Sequence, residues 1–417
     1  MRRFIATICL VFLYSTVTFA SGFSIYEASV RANAMLGAFS AYARHVSTIY
    51  YNPAGLAGLD GIRISGGATI IAPRTSFRNL SALAPLGQKT NLKKQNFWVP
   101  NAYASYQINA NLTAGVGVYS PFGLGTEWPS DWVGRGASIK ADIKTLFVTP
   151  AVGYKLPDWG IGTIKIGAGL RMAVFGKVKL KRAVQSFTPE GTFTLNGDLD
   201  KTAFGFNAGI LYQPIKDVTL GFTYRSKVKT KYSGDAEFVN LPVGFPNTAK
   251  GSAEITLPSS YVVALNVKPI KGLTTELDYV WWGWSSYDKL AINFDQTIPA
   301  LGGNKIVNER NYKDSWQLRF GAEYSELGIK GLTIRGGIAY DKNPIRDRYV
   351  DPTLPDADRW LFSGGLSYNL TDYLAVDVAY IFIRTKQREV TNTTAGGIDG
   401  VYNTYANLPS FGLTMKL

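Results

Sequence analysis

Leu332-Thr-Ile-Arg-Gly-Gly-Ile-Ala-Tyr340 decides the fold class of this chain. Leu332, Ile334, Ile338 and Tyr340 fall on one face of an extended segment, and Thr333, Arg335, Gly337 and Ala339 on the other. Strand side chains alternate strictly between faces, so one face can meet lipid while the other meets water. Leu374-Ala-Val-Asp-Val-Ala-Tyr380 repeats the pattern, with Asp377 opposite Leu374, Val376, Val378 and Tyr380. A lone charge inside such a strand belongs to a lumen. Working outward, the same alternation recurs in hairpins to the end of the chain, which is how a closed antiparallel barrel through an outer membrane is written.

Punctuation supports this reading. Six short turn signals, Asn109-Ala-Asn111, Pro157-Asp-Trp-Gly160, Pro214-Ile-Lys-Asp217, Pro269-Ile-Lys-Gly272, Leu327-Gly-Ile-Lys-Gly331 and Asn369-Leu-Thr-Asp372, each lie between alternating runs. Longer polar or proline-rich stretches separate them, near 74–96, 121–142, 183–199, 233–252, 285–311, 342–358 and 387–404. Short turns at one end and long loops at the other predict an all-β transmembrane antiparallel β-barrel of about 14 strands, with both termini in the periplasm. No fixed-period repeat suggests a propeller or solenoid.

The ends and the composition narrow the setting. Arg2 and Arg3, the apolar run Phe4 to Leu13 and Thr18-Phe19-Ala20 predict a signal peptide over 1–20, cut after Ala20. The one cysteine, Cys9, falls inside it, leaving no thiol or disulfide chemistry in the mature chain. The net charge is +14, and loss of Arg2 and Arg3 leaves +12. These charges are scattered singly along strands and loops, so they point to anionic lipid headgroups or an anionic passenger rather than nucleic acid. Residues 21–60 break the strand pattern with helix-permissive, alanine-rich pieces from Ala28 to Ala43. They predict a small hatch, or plug, inside the lumen of a barrel formed by 61–417; the competing reading is a periplasmic tail.

Three segments carry a family resemblance. Gly22-Phe-Ser-Ile-Tyr-Glu27 leads to Tyr51-Asn-Pro-Ala-Gly-Leu56. Next comes Ser120-Pro-Phe-Gly-Leu-Gly-Thr-Glu-Trp128. The third runs from Trp316 to Tyr380, with Arg335-Gly-Gly-Ile-Ala-Tyr-Asp-Lys-Asn-Pro344 and Pro355-Asp-Ala-Asp-Arg-Trp360. In this order they resemble the long-chain fatty acid transporter (FadL) family of outer-membrane proteins, which includes toluene-type hydrocarbon channels. Two departures stand out: Arg44-His45 replaces paired acids often found in the family's hatch, and Leu417 replaces the usual terminal aromatic. The latter implies less efficient assembly.

The resemblance implies passive uptake of hydrophobic compounds, most of all long-chain fatty acids. A passenger is captured at outer loops, passes to a buried apolar pocket, and leaves through a wall gap at a kinked third strand after the hatch moves. Each buried methylene contributes ~0.8 kcal/mol, so an apolar pocket selects such cargo without reaction chemistry. Aromatic hydrocarbons are the alternative passenger, and a structural or adhesive barrel the alternative function.

The implied site residues are as follows. Asn52, Pro53 and Ala54 mark the hatch. Pro121, Phe122 and Gly123 mark the strand-three kink, since proline cannot donate to a ladder and glycine tolerates a bend; otherwise they simply begin a loop. Lys177 and Lys313 match positions near the ligand carboxylate, or else meet lipopolysaccharide phosphates at the rim. Trp128, Trp132, Phe238, Leu241 and Phe245, with Val239 and Val243, would line the capture groove or pack the loops together. Alternation sends Trp281 towards lipid and Trp282 and Trp284 inward. Glu276, Asp278, Arg319, Glu323, Arg335 and Asp377 read as lumen charges that pair with one another or with the hatch. His45, the sole histidine, has no identifiable nucleophile beside it, so no enzyme activity, cofactor or metal is expected. Expected partners are hydrophobic small molecules, outer-membrane lipids and lipopolysaccharide, around a monomer.

Overall fold

The computed structural model describes residues 22–184, 189–391, 393 and 397–417. The signal-peptide reading and Cys9 lie outside these residues. Fourteen strands close into one antiparallel barrel. They are β1 Ile62–Asn79, β2 Phe97–Gln107, β3 Leu112–Tyr119, β4 Lys140–Lys155, β5 Thr163–Val184, β6 Ala203–Ile215 and β7 Val218–Arg225. The second half comprises β8 Ser260–Ile270, β9 Leu273–Trp282, β10 Ser315–Tyr324, β11 Leu332–Asp341, β12 Arg359–Asn369, β13 Leu374–Thr385 and β14 Gly400–Lys416. Closure comes from β14 pairing with β1, from Arg63↔Lys416 to Asn79↔Gly400. A closed ring leaves no edge unpaired in lipid, save beyond Ala102↔Val118, where β2 and β3 part.

All six short turns fall between consecutive strands, at one end of the barrel. The alternation is also as read. Phe411, Leu413 and Met415 of β14 expose their side chains on the outer wall, while Asp377 of β13 is buried inside. Trp282 and Trp284 are buried, and Trp281 is partly exposed.

The stretches read as long loops need correction. Gly191–Leu199, Val228–Val239, Thr248–Leu257, Lys289–Ile298 and Gly303–Glu309 are strands. The first pairs with the upper half of β5 and the rest follow in order, so a second sheet continues upward from the barrel rim. Polarity misled the reading: these strands rise into water and need no lipid face.

Residues 22–59 pack inside the ring. Of them, Arg44 and Gly58 alone are exposed. Helix is confined to two four-residue turns, Val30–Asn33 and Thr48–Tyr51, and the 3-10 segment Pro53–Gly58. Hydrogen bonds reach walls on different sides. Asn33 Nδ2 donates to Thr69 Oγ1 (2.8 Å) and Ser410 Oγ (3.0 Å), Ala41 N–H to Glu276 (2.8 Å), and Tyr103 OH to Ala28 O (2.7 Å). Glycines on the inner wall make this fit possible. A Cβ on Gly209 would sit 2.0 Å from Asn52 Oδ1, and one on Gly167 2.3 Å from the Pro53 carbonyl carbon. The abundance of glycine thus serves close approach of a plug.

Candidate functional site: a window in the barrel wall

Strand three breaks where Pro121 interrupts it. β3 ends at Tyr119, and an outer piece, Gly123–Glu127, resumes against β4. β2 continues upward against β1 as far as Phe97, yet its pairing with β3 stops at Ala102↔Val118. The β2 backbone from Phe97 to Asn101 therefore faces a gap. Lys93 N–H closes the top by donating to Glu127 O (2.8 Å). The Glu127 carboxylate ties the frame together, 2.9 Å from Lys93 Nζ and 2.6 Å from Lys140 Nζ.

Backbone groups freed by the break must find partners in so apolar a setting. The N-terminal segment supplies them. Ile25 N–H donates to Pro121 O (2.8 Å) and Gly123 N–H to Phe23 O (3.1 Å), while Thr145 Oγ1 donates to Phe122 O (2.6 Å). Phe122 is buried, its ring 6.1 Å from Phe23 and 6.4 Å from Trp284. Phe23 meets Trp284 at 4.7 Å. The segment ahead of the barrel thus acts as a short inner splint along the break.

A cavity of about 640 Å³ passes through this gap. Trp98, Leu146 and Phe175 line its outer mouth, and Trp98 is exposed on the outer wall. Phe23, Ile25 and Ile383 line the inner part, with Glu27, Asp356 and Arg359 among its polar groups. Arg359 Nη2 lies 2.7 Å from Asp341 Oδ2, and Gly22 N–H donates to Asp356 Oδ2 (3.0 Å). Burial pushes the Asp356 carboxyl up to about 7. A largely apolar, pre-formed space of this size is what a hydrophobic ligand requires.

The lumen charges contact one another or residues 22–59, and two of them form ion pairs that also involve this segment. Arg31 meets Asp377 at 2.9 Å, and Thr414 Oγ1 also donates to Asp377 (2.7 Å). Arg335 pairs with Glu323 (2.7 Å), which accepts from Tyr42 OH at 2.7 Å. Phe39 N–H donates to Asp278, and the Arg319 guanidinium lies 4.1 Å from the Tyr26 ring centroid. His45 is buried with Ser47 Oγ at 2.7 Å and Thr414 Oγ1 at 3.1 Å. Burial holds its imidazole down to about 3, so it stays neutral.

Sequence reasoning missed two arginines. Arg225 is buried over the Tyr50 ring (4.7 Å) and donates to Tyr50 O (2.6 Å) and Tyr51 O (2.9 Å), at the end of a helical turn. Arg171 is 2% exposed, donates to Ser226 O (2.9 Å), and its Nε has no partner. Among the described residues neither forms an ion pair with a carboxylate. Alternation across Leu170-Arg-Met-Ala173 could have identified Arg171 as an inward charge.

The residues singled out from sequence are not gathered into one site. Pro121, Phe122 and Gly123 form the break. Asn52 anchors the plug, donating to Ser40 O (2.8 Å) and Ile210 O (3.2 Å) and accepting from Ala54 N–H (3.1 Å). Pro53 and Ala54 sit buried against the wall. Lys177 points outward, its side chain 58% exposed and 3.5 Å from Asp198, which removes it from the cavity. A one-residue irregularity opposite Leu146/Phe147 turns both Val174 and Phe175 outward, and every later β5 side chain changes face. Lys313 is half-buried among the outer loops, its N–H bonded to Pro344 O (3.0 Å).

The expected groove-lining residues pack the loops instead. Trp128 and Trp132 are stacked at 4.3 Å and buried against Phe77. Their indole N–H groups donate to Pro352 O (3.0 Å) and Ser138 O (2.8 Å). Phe238 is buried against Phe193, Phe245 and Phe294, with Leu241 at the edge of the same cluster. Val243 is fully exposed.

A closed 14-strand barrel of this kind belongs with the outer-membrane channels that take up hydrophobic compounds, which are transport proteins and not enzymes. Residues 11–416 match the family described as outer membrane protein transport protein (OMPP1/FadL/TodX), and the chain belongs to it. An outer membrane protein of Neisseria meningitidis serogroup B is 29% identical, over 91% of this chain and 89% of that protein. The long-chain fatty acid transport protein of Escherichia coli O6:H1 is 27% identical, over 91% of each. Among solved structures, a Pseudomonas aeruginosa FadL homologue superposes with a TM-score of 0.82 at 20% identity, covering 95% of this chain and 99% of that one. The Ralstonia pickettii toluene transporter TbuX gives 0.70 at 16% identity, covering 94% and 100%.

Proposed function

We infer that the chain admits long-chain fatty acids by passive lateral transfer, with the strand-three window as the exit into the bilayer and residues 21–60 as the hatch. The observation carrying this reading is the continuous apolar cavity from the inner face of Phe23 to the lipid-facing Trp98. A passenger taking this route enters the membrane directly and never crosses a watery bore. Each methylene in that space contributes ~0.8 kcal/mol, so chain length sets affinity. Arg171 and Arg225 do not line this cavity, but as buried cations without carboxylate partners among the described residues they offer counter-charge to an anionic head elsewhere in the lumen. The fatty-acid relative at 27% identity points the same way.

Aromatic hydrocarbons are the second reading, favoured by the carboxyl groups of Glu27 and Asp356 at the inner end of the cavity, where a carboxylate would be repelled. The test is a variant with a continuous third strand, Pro121→Val with Gly123→Val, expressed in cells lacking the native channel. Oleate uptake should fall at least about tenfold while heat-modifiable migration, the mark of a folded barrel, is retained. Unchanged oleate uptake in the folded variant would remove the lateral exit, and loss of toluene uptake alone would favour the hydrocarbon reading.

A further inference from the structure

A separate feature of the outer wall concerns the lipid around the barrel rather than its passenger. On four neighbouring strands, Trp281, Trp316, Tyr340 and Trp360 form a continuous aromatic row. Trp281 pairs with Trp316 across the β9–β10 ladder, Trp316 meets Tyr340 at 5.8 Å, and Tyr340 meets Trp360 at 4.9 Å. Amphipathic aromatic rings settle at the membrane interface, so this row marks the headgroup level of the outer leaflet on this side.

Cations crowd immediately above it. Lys342 stands two residues beyond Tyr340 on the same face, its N–H bonded to Trp316 O (2.9 Å). Lys386 stands two beyond Arg384, which is paired with Trp360, and its N–H donates to Asp358 O (2.7 Å). Both lysines come directly after the ends of β11 at Asp341 and β13 at Thr385, so their backbones stand at the strand tops above the aromatic row. Lys313 is held over the same strand tops by its bond to Pro344 O (3.0 Å), and Arg346 by Nε donating to Asn311 O (3.1 Å). Lys386 also lies 5.7 Å from the Tyr340 ring centroid.

Cations and carboxylates share this rim. Asp358 stands 3.8 Å from Lys386, and Asp347 is bound to Arg388 at 2.8 Å. Around these carboxylates stand Lys313, Lys342, Arg346, Lys386 and, at the aromatic level, Arg384. Burial, then the neighbouring Lys313, holds the Lys342 ammonium down to about 8. Lys342 is buried behind the patch, whereas Arg346 and Lys386 are exposed and Lys313 is half-buried. Below, exposed Leu318, Ile338 and Phe362 continue the apolar wall.

We propose that Lys313, Arg346 and Lys386, backed by Lys342, bind the phosphate of a phosphorylated, acylated sugar lipid of the outer leaflet. The location selects the lipid over a free anion. The cations span a few strand spacings of ~4.8 Å, the width of a disaccharide headgroup. Acyl chains below them would lie on an apolar surface that a free anion cannot use. Phosphate accepts charge-assisted hydrogen bonds from each cation at once.

The test uses the full mature chain in a non-ionic detergent and reads retained lipid by native mass spectrometry. The probes are a bisphosphorylated acylated diglucosamine lipid, its dephosphorylated form and inorganic phosphate. The wild-type chain should hold the phosphorylated lipid about tenfold more tightly than the dephosphorylated one, and added salt should weaken it. A Lys313→Gln/Arg346→Gln/Lys386→Gln variant should lose that difference, whereas Lys229→Gln/Lys231→Gln/Lys250→Gln, on the upper sheet, should keep it. Equal retention of the two lipids by the wild type, which needs no variant to fold, would overturn the site. So would displacement of the lipid by equimolar inorganic phosphate, or an equal loss in the upper-sheet control.

Discussion

Gly22 N–H donates to Asp356 Oδ2 at 3.0 Å, and burial pushes that carboxyl up to about 7. The docked form therefore favours the proton more than a solvated aspartate does. Docking of the N-terminal segment is strongest below the ordinary carboxylate range near pH ~4 and weakens as pH rises through about 7. Amide exchange over Gly22–Ile25, corrected for intrinsic rates, should be faster at pH 8 than at pH 5, and Asp356→Asn should flatten the difference. Identical corrected rates in the wild type would contradict this role. Two substitutions separate the inner arginine from the outer lysine. Arg171→Ala should lower oleate uptake more than toluene uptake, while Lys177→Ala, exposed beside Asp198, should leave both unchanged. The lumen charges were legible because alternation is strict in a regular strand: Asp377, Glu276 and Arg335 are where a two-residue period puts them. Lys177 was not legible, since one extra residue near Val174 reverses the face and nothing in the local composition announces it.

Strand three and the segment Gly22–Ile25 form one structural element, because each satisfies backbone groups the other leaves open. Proline at 121 made the interruption visible in the sequence; the partner strand was hidden, since a bridge between Ser24 and Phe122 joins residues far apart in the chain. The upper sheet was hidden for another reason. Val228–Val239 lacks a lipid face, so its polarity imitated a loop, although hydrogen bonding continues off the upper part of β5. Trp128 and Trp132 were visible as large apolar residues beyond the barrel, but stacking and two indole hydrogen bonds give them a structural role. At this scale Glu127→Ala is informative. It removes the carboxylate joining Lys93 and Lys140 at the top of the window. These groups are partly exposed, so the stability loss should stay near 1 kcal/mol or less. Labelling of a cysteine placed at Phe97 by a membrane-partitioning thiol reagent should nevertheless speed up, and an unchanged rate would show that the bridge does not frame the opening.

For the whole molecule, residues 22–59 pack against the inside of a closed wall, and the fit depends on missing side chains as much as on bonds. Gly209→Leu would drive a side chain into Asn52, and Asn52→Ala would take the amide donor from the Ser40 carbonyl. A buried hydrogen-bonding group left unmatched costs about 1–3 kcal/mol, so both variants should lower the thermal midpoint. Each should also raise single-channel ion conductance in planar bilayers, and removal of residues 21–56 should raise it further. A silent bilayer with the truncated chain would show that the plug does not seal the bore. The central claim is that hydrophobic cargo passes through the side wall. Photocrosslinking of a diazirine-bearing oleate to the chain in membranes, with adducts mapped by peptide mass spectrometry, tests it most directly. The account predicts adducts at Phe97, Leu124 and Ile143, around the window. Adducts confined to Leu59 and Lys165, towards the periplasmic mouth, with none at the window, would contradict it.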